Sequence, residues 1–507
     1  MVVDELKYKI LQQFGFPPTQ EQANALDVFA RFLTDRNPQV VMILRGSAGT
    51  GKTSLSGAIV CTLQAIRQKV MLLAPTGRAA KVFSLNSGTP AYTIHRRIYR
   101  EKSFSGVDGQ FNLNDNLFTD TLFMVDEASM IANLGLGGMN FGSGCLLDDL
   151  VHFVYQGRND RLMLIGDKAQ LPPVGEEESP ALNAAMLQGY GLTVYECDLN
   201  EVLRQSKQSG ILYNATMIRQ MITHDDITQL PKIRFSGFSD IRQMPGAELI
   251  EALADSYHHV GLDDTIVVTR SNKRANIFNQ GIRNMVLDRE EELSQGDILM
   301  IVKNNYYWME EERKKLSEER RVKSEEFNCL ANHKVQSSNL KAQSNDIPAF
   351  LANGDRAKVL KVHRRIDLYG FRFATLLLQF PDYGNYELEA TVLLDTLTSE
   401  APALTHEQQE QLFHQIEEDY QDVPLKADRM KAIRQDQFYN ALQVKFAYAV
   451  TCHKAQGGQW AHVYVDQGYM TDDMLTPDYI HWLYTAFTRA TEMLYLVNWP
   501  ETQIEKE

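Results

Sequence analysis

The first third of the chain sets short, unbroken apolar runs between longer amphipathic stretches. Residues 40–44, 70–74, 122–125 and 162–165 are apolar throughout and bounded by loop signals. A strand that is apolar at every position is one covered on both faces, as in a parallel sheet. The intervals between these runs hold crossover helices, so the spacing predicts a doubly wound parallel-sheet α/β domain. The same grammar returns at 265–269, 446–451, 462–466 and 493–497. It predicts a second α/β domain, interrupted by a long insertion from about 296 to 442. The insertion opens with an apolar strand at 298–302 and passes into 310–326, dense in both charge signs and read as a solvated helix or excursion. Strand-like segments follow at 357–362, 371–380 and 386–394, with turn signals at Asn353-Gly354-Asp355 and Pro381-Asp382-Tyr383-Gly384. A small barrel or curled sheet is expected there. Thr405-His406-Glu407-Gln408 has the form of a capping box opening a polar helix.

Composition narrows the class without choosing a function. A length of 507 residues suggests two to four domains, and 44% hydrophobic with 23% charged residues fits a soluble globular chain. Met1 to Lys9 is polar and charged, unlike a signal peptide, and no apolar run has the length of a membrane span. The five cysteines form no C-x-x-C pair, so neither a zinc site nor a disulfide framework is indicated, and a reducing cytoplasm is expected. The net charge of −14 argues mildly against nucleic acid as a partner. A protein that grips one strand in a narrow channel needs only local basic residues, so charge does not decide the matter.

The chemistry begins where the run Val40-Val41-Met42-Ile43-Leu44 ends. Gly46-Ser47-Ala48-Gly49-Thr50-Gly51-Lys52-Thr53 is the phosphate-binding pattern G-x-x-x-x-G-K-[ST] between a strand and a helix. Its glycines let backbone N–H groups converge on phosphate oxygens at a helix N-terminus. Lys52 would reach the outer phosphates of a nucleotide, and the Thr53 hydroxyl would ligate Mg2+. Further on, Phe123-Met124-Val125-Asp126-Glu127-Ala128-Ser129 puts two carboxylates at the end of a buried strand, which is costly unless they have work to do. Asp126 would hold the magnesium and Glu127 would polarise the attacking water. In Leu164-Ile165-Gly166-Asp167-Lys168-Ala169-Gln170-Leu171-Pro172-Pro173-Val174, Gln170 stands at the C-terminal edge of the next strand. There it would sense a terminal phosphate and orient water; alone, the segment reads equally as a proline-rich turn. Leu134-Gly135-Leu136-Gly137-Gly138-Met139-Asn140-Phe141-Gly142 lacks a dinucleotide fingerprint and reads as a flexible loop.

Taken with Ala74-Pro75-Thr76-Gly77-Arg78-Ala79-Ala80-Lys81, Leu203-Arg204-Gln205, Val450-Thr451-Cys452-His453-Lys454-Ala455-Gln456-Gly457 and Tyr484-Thr485-Ala486-Phe487-Thr488-Arg489-Ala490, these motifs agree in order and spacing with one family. The chain resembles the superfamily 1B DNA helicases, the RecD-like and Dda-like enzymes, over nearly all of its α/β portion. The resemblance implies two RecA-like domains, the first at 1–200 with a hairpin insertion near 96–120. The second would comprise 201–297 and 443–507, and 298–442 would be an SH3-like barrel with a charged helical excursion.

The resemblance also assigns residues. Gln22 matches the position that reads the adenine edge, although Thr19-Gln20-Glu21-Gln22 is also a capping box, so Thr19 can cap while Gln22 binds. Arg204 and Arg489 match arginine fingers that reach the transferred phosphate from the second domain. Gly457 matches a position between nucleotide and DNA and is counted with the nucleotide site. Pro75, Thr76, Arg78 and Lys81, with Thr451, His453 and Lys454, match the positions that hold single-stranded DNA through its backbone. His95 precedes a hairpin that family members carry to the duplex junction, and Phe104 or Phe111 would either stack on a base or pack the hairpin down.

The expected function is an ATP-dependent helicase moving on single-stranded DNA, with 5′-to-3′ polarity implied by the family alone. A translocase that strips proteins from DNA with little unwinding is the alternative within the motor class. A small-molecule kinase or signalling NTPase would need no motifs around Thr451 and Arg489, and a non-catalytic DNA-binding subunit would need no Lys52, Asp126 or Glu127. Single-stranded DNA and its junctions with duplex are the expected partners, with a single-strand-binding or repair protein as a further one, and a monomer is expected.

Overall fold

The computed structural model describes residues 3–104, 109–135, 142–201, 208–224, 228–330 and 350–505; the side chains of 101–104, 109–111 and 319–330 are not described. The chain divides into two compact units, one of residues 1–275 with 449–507 and one of residues 276–448. The second unit is wider than the insertion expected at 298–442.

The first unit holds two all-parallel sheets. In the first sheet the strands lie in the order Ala91–Thr93, Lys69–Ala74, Thr121–Val125, Arg161–Gly166, Val40–Gly46, Thr193–Leu199. The order reverses direction around the first strand in sequence, so the sheet is doubly wound. Val40–Gly46 shows why an unbroken apolar run suits this place. Val40, Met42 and Leu44 pack with the helices Val3–Phe14, Gln20–Thr34 and Lys52–Ala65 on one face. Val41 and Ile43 point the other way, into a core that includes Leu147, Leu150 and Val154 of the helix Leu146–Gln156. Alternate side chains thus feed two cores, and each position from Val40 to Leu44 must be apolar.

The second sheet has the order Ala449–Thr451, Thr265–Thr269, Trp460–Asp466, Ala490–Val497, Ile241–Met244, again all parallel. The expected strand at 446–451 divides here. Phe446 ends the strand Leu442–Phe446, and a new strand begins at Ala449. A hairpin of Tyr99–Phe104 and Gly109–Leu113 leaves the first sheet in antiparallel pairing, its tip outside the described residues. The glycine-rich segment at 134–142 also falls largely outside them, at 136–141.

In the second unit, Ile298–Ile301, Arg356–Leu368, Phe371–Phe380, Tyr386–Leu393 and Leu442–Phe446 close into a barrel. Its longest pair turns at Tyr369-Gly370, both with positive φ (57° and 74°), the geometry a two-residue hairpin needs to match strand twist. Leu376, Leu378 and Phe380 share one buried face of their strand with Leu388 of the next, while Phe373, on the other face, packs on Phe438. The charged run lies in a helix, Tyr307–Leu330, between the first two barrel strands. The capping box at Thr405 and Gln408 is formed, opening the helix His406–Asp419.

Candidate nucleotide site and nucleic-acid surface

The phosphate loop sits where the central strand of the first sheet gives way to a helix. Gly49 and Gly51 have φ of 76° and 80°, a left-handed backbone that turns successive amides toward one point. Gly51 caps the helix Lys52–Ala65, whose first bond runs from Leu55 N–H to the Gly51 carbonyl. Gly46 has no room for a side chain: a Cβ there would come within 3.0 Å of Thr50 Oγ1, Lys52 Cδ and Leu199 Cβ. The Lys52 ammonium donates to the carbonyls of Gly46 and Ser47, at 2.5 and 2.9 Å. A buried Ser47 hydroxyl has no partner among the described residues. Thr53 stands exposed beside it. A loop that folds its own lysine inward onto carbonyls is a cradle with a cation to offer, which fits an incoming polyphosphate.

Asp126 and Glu127 end the strand Thr121–Val125, two strands away from the loop in the sheet. Burial and then the neighbouring Glu127 carboxylate raise the Asp126 pKa, while the Glu127 N–H and the charge of Lys52 pull it down. Two adjacent, half-buried carboxylates call for a cation. Among the described residues no set of three His, Cys, Asp or Glu side chains gathers into a metal cluster. Magnesium needs none, since it takes one or two protein oxygens plus phosphate and water. Thr53 and Asp126 therefore suit it. Glu127 has φ 52° and ψ 39°, a left-handed conformation in a residue with a Cβ. Such strain costs on the order of 1–3 kcal/mol and collects at functional sites.

Gln22 is occupied structurally. Thr19 Oγ1 accepts from the Gln22 N–H, Gln22 Oε1 accepts from the Thr19 N–H, and Gln22 Nε2 donates to the Thr50 carbonyl at 2.9 Å. The side chain expected to read adenine thus ties its helix to the phosphate loop. Gln170 is buried, and its Oε1 has no partner among the described residues.

The second sheet meets this site through side chains. Tyr484 donates its hydroxyl to Asp167 Oδ2 at 2.6 Å and accepts from the Ala48 N–H at 3.1 Å. Thr485 Oγ1 accepts from the Leu171 N–H at 2.8 Å, and Gln456 Nε2 donates to the Leu171 carbonyl at 2.8 Å. His481 Nδ1 lies 2.9 Å from the Ala169 carbonyl oxygen. The loop that carries Gln170 is therefore clasped on several sides. Asp167 and Tyr484 both stood inside recognisable motifs, yet nothing in the sequence pairs residues more than three hundred positions apart. Arg489 is 3% exposed and donates to the carbonyls of Thr485 and Gly458 and to Thr488 Oγ1, at 3.0, 3.1 and 3.1 Å. The expected finger is here a fork closed on its own backbone. Arg204 lies outside the described residues.

The expected DNA residues gather elsewhere on the two sheets. Pro75 and Thr76 follow the strand Lys69–Ala74, and Thr76 Oγ1 accepts from the Ala79 N–H to cap the helix Gly77–Ser87. Lys81 lies half-buried on that helix. Thr451 ends the edge strand of the second sheet and opens the short helix Cys452–Ala455, with His453 exposed and Lys454 half-buried. The two groups touch. A Cβ on Gly457 would stand 3.0 Å from Ala79 Cβ and 3.3 Å from Thr76 Oγ1. Gly457, expected beside the nucleotide, thus packs against the segment expected to hold DNA. The Arg78 guanidinium lies 4.2 Å above the Trp460 ring and donates to the Gln459 carbonyl at 3.2 Å. His95 sits in the short helix Ile94–Ile98, its ring 5.7 Å from that of Tyr99. Burial lowers its pKa to about 4 against the pull of Asp149, so the ring is neutral at pH 7 and brings phosphate no charge. The side chains of Phe104 and Phe111 lie outside the described residues.

Two parallel sheets joined around one phosphate loop define a tandem RecA-like P-loop protein. A family model described as an AAA domain matches residues 18–230, and one described as a UvrD-like helicase C-terminal domain matches 446–497. The ATP-dependent RecD2 DNA helicase of Deinococcus radiodurans is 31% identical over 157 residues, 31% of this chain and 18% of that one. The ATP-dependent DNA helicase dda of Enterobacteria phage T4 is 24% identical over 301 residues, 56% of this chain and 60% of that one. The chain thus spans less than two thirds of the length of the curated relatives it matches. Among solved structures, a Pif1 helicase from Bacteroides in complex with ADP-AlF3 and single-stranded DNA aligns at 13% identity and a TM-score of 0.44, over 97% of this chain and 95% of that one. Over parts of both sheets the chain is thus similar to ATP-dependent DNA helicases. No described helix is long and apolar enough to cross a membrane.

Proposed function

We propose that this chain is an ATP-dependent helicase that travels 5′-to-3′ on single-stranded DNA and couples ATP hydrolysis to unwinding. The observation that carries the reading is the double contact between the sheets. Gln456, Tyr484 and Thr485 reach the phosphate loop and the loop beside it, while the adjoining Gly457 packs on Thr76 and Ala79. A change at the nucleotide end has a direct route through one short segment to the surface expected to carry DNA.

In this reading Lys52 turns from the Gly46 and Ser47 carbonyls to the outer phosphates, and Thr53 and Asp126 hold Mg2+. Magnesium, when bound, neutralises charge that develops on the phosphate oxygens. Glu127 orients and polarises the attacking water, and Gln170, with its unmatched acceptor, reports the terminal phosphate. Arg489 would leave its backbone partners to serve as a finger, with Arg204 as a second. A kinase or signalling NTPase would leave the clasp of the second sheet without a purpose.

Strand separation should be measured on duplexes with a 5′ or a 3′ single-stranded tail, with Lys52→Ala as the control. Unwinding from the 5′ tail alone is expected. Unwinding only from the 3′ tail would overturn the polarity, and ATP hydrolysis indifferent to single-stranded DNA would overturn the motor itself. Displacement of a bound protein without strand separation would favour the translocase reading.

A further inference from the structure

Tyr484 is 1% exposed, and a phenylalanine would fill its place in the core equally well. What a phenylalanine could not do is hold two polar groups from the first sheet. The hydroxyl gives its proton to Asp167 and takes one from the Ala48 N–H. Asp167 is itself fixed, because its Oδ1 accepts from the Ala169 N–H at 3.0 Å. The ring oxygen is therefore aimed at the phosphate loop by a buried carboxylate 2% exposed. Burial and the Asp167 charge raise the phenol's pKa well above its ordinary value, so it remains a neutral hydroxyl.

A backbone N–H makes one strong hydrogen bond. While the tyrosine oxygen accepts from Ala48, that amide cannot be given fully to a phosphate oxygen. We propose that Tyr484 is a latch on the phosphate loop, holding the Ala48 amide when no nucleotide is bound and surrendering it when phosphate arrives. The inference rests on the ATP-binding reading above and deepens it. The hydroxyl keeps Asp167 as a partner after release, so opening the latch leaves no buried donor unmatched. Its motion is also passed on. The next residue, Thr485, holds the Leu171 N–H through its side chain, and its carbonyl accepts from both Arg489 Nε and the Thr488 hydroxyl. Tyr484 is thus a positioning residue that links loop occupancy to the release of Arg489.

The test is nucleotide affinity without DNA, read by fluorescence of a labelled ADP and of a labelled non-hydrolysable ATP analogue. Tyr484→Phe keeps the ring and removes the competing acceptor. Its affinity is expected to rise by about 5- to 10-fold, the worth of one hydrogen bond. A gain in affinity is an outcome that mere damage to the fold does not produce. Unchanged or weaker binding, at an unchanged melting temperature, overturns the latch. Should Tyr484→Phe fail to fold, Asp167→Asn loosens the same hydroxyl without emptying the core, and a rise of about 2- to 3-fold is expected. No rise in that variant likewise overturns the proposal. If the unaltered protein binds neither nucleotide, the functional reading falls and the latch with it; if it binds both and the variants match it, only the latch falls.

Discussion

The two parallel sheets bring unlike rims to their junction. The rim of the first sheet is made of backbone: left-handed Gly49, Gly51 and Glu127, a loop too tight for a Cβ at Gly46, and an ammonium resting on its own carbonyls. The rim of the second is made of side chains, Gln456, Tyr484, Thr485 and Arg489, all buried and bonded largely to backbone atoms. Backbone geometry of the first kind is fixed by the chain locally and is a preformed cradle. Contacts of the second kind are exchangeable, because a side chain can trade one carbonyl for another partner at the cost of a rotamer change. Under the proposed function, the first sheet is the binder and the second is the part whose bonds change.

The largest effect is expected from the first rim. Lys52→Ala removes the cation that the loop folds inward, and hydrolysis should fall by on the order of 10³-fold or more, with nucleotide affinity lowered as well. Melting temperature should hardly move, since the ammonium's hydrogen bonds are to carbonyls of its own loop. A variant with near-normal turnover would remove the first rim from the catalytic machinery. Glu127→Gln separates binding from chemistry on the same rim. Turnover should fall by about 10²–10⁴-fold, with labelled-nucleotide affinity within a few-fold of normal. Equal losses in both would mean that the left-handed Glu127 serves the fold alone.

How much of this was legible in the sequence follows from the same contrast. The first rim is written in consecutive residues: the strands of unbroken apolar sequence form as the pattern predicts, with the loop and the carboxylate pair at their ends. The strands that escaped are those whose residues do not look buried. Thr193–Leu199 alternates Tyr195, Glu196 and Asp198 with apolar positions at the edge of the first sheet, and Ile241–Met244 spans four residues with Arg242 and Gln243 at its centre. The run at 446–451 was apolar across a junction, and its residues alone did not tell that Phe446 closes a barrel while Ala449 joins a sheet. The second rim was harder still. Its residues were visible, but their partners were not, because a bond such as Tyr484 to Ala48 depends on how two sheets meet and leaves no periodic trace.

Arg489→Lys sharpens the comparison from the second rim. A lysine cannot reproduce the fork that now spans Thr485, Gly458 and Thr488. If the guanidinium leaves this fork to act on phosphate, turnover should drop by on the order of 10³-fold while nucleotide binding persists. If it serves only as a clasp, melting temperature and DNA affinity should fall together, with turnover following in proportion. Steady-state rates beside a thermal melt separate the two.

The smallest effect is expected where the two rims meet at the segments proposed to hold DNA. A Cβ on Gly458 would stand 2.5 Å from Trp460 and 2.7 Å from the Arg78 Nε, closer than real contacts allow. Gly458→Ala must therefore push the guanidinium off the ring or move the ring itself, and overpacking of this sort costs about 1–3 kcal/mol. A stacked guanidinium contributes on the order of 0.5–2 kcal/mol, so losing it accounts for part of that cost. Lys52 of the phosphate loop and the Asp126–Glu127 pair are untouched, so nucleotide affinity should stay normal. Single-stranded DNA affinity should weaken by a few-fold, measured by anisotropy of a labelled oligonucleotide. A few-fold change in nucleotide affinity instead, with DNA binding intact, would mean that this contact belongs to the nucleotide end, and the division of the junction into two ends would fail.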